Sequence, residues 1–239
     1  MRKHVLITGG TGGIGRAFVR AFSKAGYLVT FTYHSSEQFA DVLMKECGAK
    51  GFCVNFEDDS SVDDFYESLC LADTPVNVLI NNAGIAHYGL IQDVSLDTYR
   101  RLFDVDFRSA FFLTKKIIPS MIASHSGTII NVSSIWGETG ASCEVLYSSA
   151  KGAMIAFTKA LAKELAPSGI AVNCISPGVV DTEMMSRFSL EEKETLMQDI
   201  PSGSFTKADE IANLALYLSE HSTTSLTGQV IGMNGGMYC

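Results

Sequence analysis

The sequence predicts one α/β domain, residues 1–239, built on a doubly wound Rossmann-type parallel sheet of about seven strands with helices on both faces. Three observations carry this. Short apolar runs alternate with amphipathic helical stretches along the chain. A glycine-rich turn joins the first run to the first helix. No Pro/Ser-rich linker, repeat or low-complexity tract marks an internal boundary.

The first strand, residues 3–8, runs into Gly9-Gly10-Thr11-Gly12-Gly13-Ile14-Gly15 and then a helical pattern through Ala25. Glycines between a strand and a helix let backbone amides and the helix N-terminus approach a pyrophosphate. Further strands are expected at 27–33, 51–55, 76–81, 128–132, 170–175 and 229–231, with helices between most of them. In such sheets ligands sit beyond the carboxyl ends of the strands. The glycine turn, Asn82, Ser134, Tyr147 and Pro177 follow those ends, so they should converge on one crevice.

Tyr147 and Lys151 are four residues apart in a stretch of helical periodicity, so phenol and ammonium share a face. A free phenol, with a pKa near ~10, holds its proton too tightly for efficient acid-base work at neutral pH, and a neighbouring cation lowers that value. Ser134 lies thirteen residues upstream and supplies a hydroxyl.

The formal net charge of -8 argues against nonspecific binding to nucleic acid or to anionic membranes, which leaves small molecules or proteins as partners. No apolar run is long enough to span a bilayer, and Met1-Arg2-Lys3 leads into a short strand rather than the apolar segment of a signal peptide. A cytoplasmic protein is expected. Six cysteines show no Cys-x-x-Cys pair and no clustering with His, so neither a metal site nor a disulfide framework is indicated. Arg100, Arg101, Arg108, Lys115 and Lys116 read either as a solvated face or as a dock for an acidic protein. Residues 189–199, an acidic stretch, read either as a lid over the substrate or as a fixed surface helix.

Thr8 to Gly15 with the spacing Thr-Gly-x-x-x-Gly-x-Gly, Asn81-Asn82-Ala83-Gly84, Ser134, Tyr147, Lys151 and Pro177-Gly178 occur in the order and spacing of the short-chain dehydrogenases/reductases, and the resemblance covers essentially the whole chain. It implies an NAD(P)-dependent oxidoreductase in which Tyr147 delivers a proton to a carbonyl oxygen held by Ser134. In the same pattern Lys151 binds the nicotinamide ribose and lowers the tyrosine pKa. Thr8, Gly9, Thr11, Gly13, Ile14, Gly15, Asn82, Ala83 and Gly84 would line the dinucleotide. Pro177 and Gly178 would follow, with Val180 and Thr182 at the carboxamide. Asn55 stands where relatives usually carry an Asp that touches the adenine.

Cofactor choice rests on charge. NAD-binding sheets usually carry Asp or Glu about 20 residues after the glycines, to bind the ribose hydroxyls. Here the segment is Thr32-Tyr33-His34-Ser35-Ser36, without a carboxylate, so a 2'-phosphate would meet Tyr33, His34 and Ser35 as donors instead of repulsion, and NADP(H) is favoured over NAD(H). Many NADP-preferring relatives have a basic residue where this chain has Gly12. Arg16 either compensates or is an ordinary residue of the first helical turn.

One catalytic position departs from the family. Most relatives have an asparagine on the long helix after the fourth strand, and the matching residue is Asp106. Either its carboxylate pairs with Lys151 in competition with the tyrosine, or the main chain does the asparagine's work and the side chain is a tolerated change.

Among branches of the family the chain resembles the 3-oxoacyl-acyl carrier protein reductases, including an ending at 231–238 that helps build their tetramer, so a homotetramer is implied. The loop between Ser134 and Tyr147 differs, and resembles instead that of the elongation factor P 5-aminopentanone reductases. It carries Trp136, Glu138 and Glu144, which suit a substrate with a terminal ammonium, and Cys143 as a pocket wall. The carboxylates pointing into solvent is the other reading. Carrier-protein reductases use docking arginines at about the positions of His125 and Ser168, and neither is Arg. Two substrates follow as expectations: a ketone on modified elongation factor P, or a 3-oxoacyl group on acyl carrier protein. A cofactor-binding regulatory protein without turnover is the reading from another class.

Overall fold

The structure, a computed structural model, describes residues 2–71, 74–183, 185 and 189–239. Seven strands form one parallel sheet: β1 His4–Ile7, β2 Leu28–Tyr33, β3 Lys50–Cys53, β4 Val78–Asn81, β5 Gly127–Val132, β6 Ile170–Pro177 and β7 Val230–Met233, in the order β3-β2-β1-β4-β5-β6-β7. The helices are α1 Gly13–Lys24, α2 Glu37–Cys47, α3 Asp59–Leu71, α4 Leu96–Phe103, α5 Ser109–Ser124, α6 Ile135–Thr139, α7 Val145–Leu165, α8 Leu190–Gln198 and α9 Ala208–Glu220. A π-helical turn, Asp104–Arg108, joins α4 to α5.

Alternation along the strands builds a core on each face. Val5 and Ile7 pack with Phe18, Phe22, Phe31 and Ile211 on the side of α1, α2 and α9, while Leu6 packs with Phe65, Leu113, Ile117 and Leu161 on the side of α3, α5 and α7. Phe18, Phe22 and Phe31 are wholly buried, each worth roughly 1.5–3 kcal/mol. Strands buried on both faces explain why the runs read as continuously apolar.

Several polar side chains in this interior pair with one another. The Asn81 side-chain amide donates to Thr114 Oγ1 at 3.0 Å and to Asn131 Oδ1 at 2.8 Å, and Asn131 donates to Thr158 Oγ1 at 2.8 Å. This chain ties β4 and β5 to α5 and α7 just below the strand ends. The strand order reverses between β1 and β4, which leaves a gap above those two ends because their connections leave to opposite faces.

Candidate active site

A crevice of about 700 Å³ opens over that reversal and runs from His34 and Ser35 past the glycine turn to Ser134, Tyr147 and Trp136. Gly9 has φ +66°, and a Cβ on it would stand 2.9 Å from the Ala83 Cα. A Cβ on Gly15 would come within 2.0 Å of the Gly9 carbonyl oxygen, so only glycine lets α1 start this close to the turn. Gly12 caps α1 without a side-chain hydrogen bond, and no acid lies in the first turn. The amides and the positive end of the helix are thus left for an anion. The cradle fits a dinucleotide pyrophosphate.

Thr8 does not line the crevice. Its hydroxyl accepts the N–H groups of Asn82 and Ala83, both at 2.9 Å, while the Asn82 amide donates to the carbonyls of Thr8 and Gly9 at 2.9 and 3.1 Å. The residue expected to touch cofactor therefore locks together the two loops that line the crevice. Gly9, Thr11, Gly13, Ile14, Gly15, Asn82, Ala83 and Gly84 line the crevice, and so do Tyr33, His34, Ser35 and Asn55 at one end and Pro177, Gly178, Val180 and Thr182 over the middle. Arg16 is engaged elsewhere: its guanidinium donates to the Thr11 carbonyl at 2.9 Å, pairs with Glu183 and stacks on Phe39 at 4.6 Å. It does not line the crevice.

At the other end the N-terminal half of α7 brings Tyr147 and Lys151 beside Ser134. The Lys151 Nζ lies 5.5 Å from the Tyr147 ring centre and 3.4 Å from the Val132 carbonyl. The Ser134 hydroxyl caps α6 by accepting the Trp136 N–H at 3.2 Å and also faces the phenol. Burial raises the phenol above its ordinary value, Lys151 pulls it down, Asp106 adds to the rise, and the hydrogen bond from Ser134 opposes it. The lysine acts on the tyrosine in the expected direction, but burial outweighs it, so the resting group is a neutral phenol able to donate.

Asp106 stands behind Lys151, outside the crevice lining, and would reach the reactants only through the lysine. Its Oδ2 is 3.1 Å from the Lys151 Nζ, with side-chain exposures of 5% for the lysine and 0% for the aspartate. Of the two readings of Asp106, the structure shows the first: a direct, buried ion pair with the ammonium. Burial works against the lysine's charge, yet Asp106 and Tyr147 outweigh it and hold the ammonium above its ordinary value. Burial likewise raises Asp106, against Lys151 and the Ile85 N–H.

The substrate loop divides. Trp136 and Glu144 line the crevice, whereas Glu138 and Cys143, expected with them, do not. Glu138 turns inward, one carboxylate oxygen buried on the side of Cys174. Burial pushes the Cys174 thiol up to about 12, which removes it as a nucleophile. Cys143 adopts φ 61° and contributes its carbonyl, which accepts the Gly89 N–H at 2.8 Å and ties the loop to the segment after β4. Ile85, Tyr88, Met185 and Leu196 complete the walls. Sequence reasoning missed Ile85, Tyr88 and Met185 because they sit on irregular segments whose facing no periodicity reports, and Leu196 because nothing local shows which face of α8 meets the crevice. Within 189–199 lies α8, opened by a Ser189–Glu192 capping box, and Leu196 of that helix borders the crevice.

The basic run is largely neutralised. Arg101 pairs with Glu57 at 3.3 Å, Arg108 with Asp59 and with Asp104, and Lys116 with Asp63 at 2.8 Å. The turns holding His125 and Ser168 abut, since the His125 carbonyl oxygen stands 2.7 Å from where a Gly169 Cβ would be. Among the described residues no three potential ligands gather as a metal site, and no helix is long and apolar enough to cross a membrane.

The chain is similar over most of its length to known proteins. A model of the short chain dehydrogenase family matches residues 3–193. An uncharacterized oxidoreductase, YmfI, of Bacillus subtilis is 42% identical over 100% of each chain. The 3-oxoacyl-acyl-carrier-protein reductase FabG of Aquifex aeolicus is 36% identical over 98% of this chain and 96% of its own, and that of Escherichia coli 32% over 99% and 97%.

Proposed function

The chain belongs to the short chain dehydrogenase family, and from that premise we propose that it reduces a ketone to a secondary alcohol with NADPH, through Ser134, Tyr147 and Lys151. The observation that carries the reading is the placement of the Tyr147 side chain beside the Ser134 hydroxyl and a buried ammonium at the end of a dinucleotide-shaped crevice.

A nicotinamide cofactor bound in the crevice would supply the hydride. Gly9, Thr11, Gly13, Ile14 and Gly15 would hold its pyrophosphate. Asn82, Ala83 and Gly84 would flank its middle, and Pro177, Gly178, Val180 and Thr182 the carboxamide. Ser134 donates a hydrogen bond to the substrate carbonyl oxygen, which draws charge onto that oxygen. Tyr147 then gives its proton to the same oxygen as general acid, and Lys151 steadies the phenolate left behind. Tyr33, His34, Ser35 and Asn55 form the adenosine end. Their lack of a carboxylate supports NADP(H), and Ser35→Asp is expected to lower the NADPH-to-NADH preference in kcat/KM at least tenfold, because a new charge would oppose the 2'-phosphate.

For the substrate we favour a ketone ending in an ammonium, of the kind carried by aminopentanone-modified elongation factor P. Glu144 and Trp136 at the open end of the crevice support it, as an anion and an aromatic face suited to a cation. A 3-oxoacyl group on acyl carrier protein is the second reading, favoured by the names of the relatives. The absence of arginine at His125 and Ser168 weighs against an acidic carrier. We further propose a homotetrameric, cytoplasmic enzyme.

The test is NADPH oxidation with modified elongation factor P and with a short 3-oxoacyl thioester, using wild type, Glu144→Gln and, as a control outside the crevice, Glu138→Gln. Glu144→Gln should cut turnover of the amino-ketone about tenfold and spare the thioester. Turnover of the thioester alone would support the carrier-protein reading, and cofactor binding without any turnover the regulatory one.

A further inference from the structure

Resting on the reading of Tyr147 as proton donor, we infer that Asp106 is a positioning residue: it fixes the Lys151 ammonium and, as a buried negative charge behind it, keeps the proton on Tyr147 and so sets the pH limits between which the enzyme reduces and oxidises. Three features of the fold build the contact. The π-helical turn Asp104–Arg108 carries Asp106, and π turns recur where a helix presents a functional side chain. Its Oδ1 accepts the Ile85 N–H at 2.7 Å, which leaves Oδ2 for Lys151 at 3.1 Å. Gly84 makes the room: a Cβ there would stand 2.9 Å from Oδ2 and 3.0 Å from the Nζ.

An ammonium alone beside a phenol stabilises phenolate. Paired with a carboxylate it presents a dipole, and the field at the phenol shrinks accordingly. The groups that face Tyr147 are Lys151 on α7, Asp106 on the π turn, Ser134 after β5 and Glu144 at the start of α7. Those around Lys151 are Asp106, Tyr147 and Cys174 of β6. Of the charges facing the phenol only Lys151 favours its ionisation, and Asp106 compensates it. Phenol is the form that reduction consumes, and phenolate the form that oxidation needs to take the alcohol proton. With phenolate disfavoured, reduction extends to alkaline pH, whereas oxidation begins only there. The overall equilibrium is untouched.

Asp106→Asn tests this, since the amide keeps the shape and the acceptor for Ile85 but removes the charge. The alkaline limb of the reduction profile should move down by about one pH unit or more, and the onset of alcohol oxidation should move down with it. A second readout uses cofactor-free protein: the ultraviolet difference spectrum of tyrosinate, with Tyr147→Phe subtracted to isolate Tyr147. Ionisation above the ordinary value of about 10 is expected in wild type, and at lower pH in Asp106→Asn. Superimposable profiles, or Tyr147 ionising in wild type well below that value, would overturn the inference. The titration needs no substrate, so it still decides the matter if no ketone is turned over and the proposed activity itself fails.

Discussion

Replacing Tyr147 with Phe is expected to lower ketone reduction at pH 7 by about 100- to 10,000-fold, the range over which a positioned general acid contributes. The hydroxyl is the group at the crevice end that combines a transferable proton with a neighbouring cation to hold the resulting anion. Ser134 keeps its hydroxyl in the variant and still polarises the carbonyl, so a residual rate should survive. Cofactor affinity should change only a few-fold, because the glycine cradle and Lys151 remain. Initial rates of NADPH oxidation measure the first effect, and a fluorescence titration with NADPH the second. A variant rate within tenfold of wild type would sink the assignment, since water or Ser134 would then be supplying the proton.

The second large effect is on stability. Lys151→Met removes one member of a pair whose exposures of 5% and 0% mark it as buried, and leaves Asp106 without its counter-ion. Breaking a buried pair costs about 3–5 kcal/mol, mostly the penalty of the charge that remains. The sign of the pH dependence follows. Asp106 already sits above the ordinary carboxylate value in the folded protein, and loss of the cation raises it further. A folded-state acid with a raised pKa binds its proton more tightly than the unfolded chain does, so the deficit grows as pH rises and shrinks as pH falls. Urea unfolding at pH 8 and pH 5, each compared with wild type, should give a smaller loss at pH 5. Adding Asp106→Asn to Lys151→Met should recover most of the stability at pH 8, because both charges are then gone. A deficit that ignores pH and is not recovered in the double variant would mean lost lysine packing, not an orphaned carboxylate.

Both predictions use residues legible in the chain, but they were legible to different degrees. Apolar runs of strand length fell within a residue or two of the strands at β1, β2 and β5, because a strand buried on both faces must be apolar throughout. Tyr147 and Lys151 were readable as partners because four residues on a helix share a face wherever the helix goes. The glycines were readable because Gly9 and Gly15 meet a backbone constraint that no other residue satisfies. In each case the determining interaction is local, within one element or one turn, so the order of residues already contains it.

Facing across elements was not contained there. Glu138 and Glu144 are six residues apart, yet one buries a carboxylate oxygen on the side of Cys174 and the other borders the crevice. The basic run of α4 and α5 looked like open charge until α3 laid Asp59 and Asp63 against it. Asp106 stood undecided between an ion pair and a tolerated change until the π turn, Gly84 and α7 brought its carboxylate to 3.1 Å from the ammonium. The sequence by itself determined the sheet, the glycine cradle and the Tyr147–Lys151 pair. The tertiary structure alone decided what Asp106, Glu138 and Arg16 do, because each is set by distance and dielectric between segments far apart in the chain, and local spacing encodes neither.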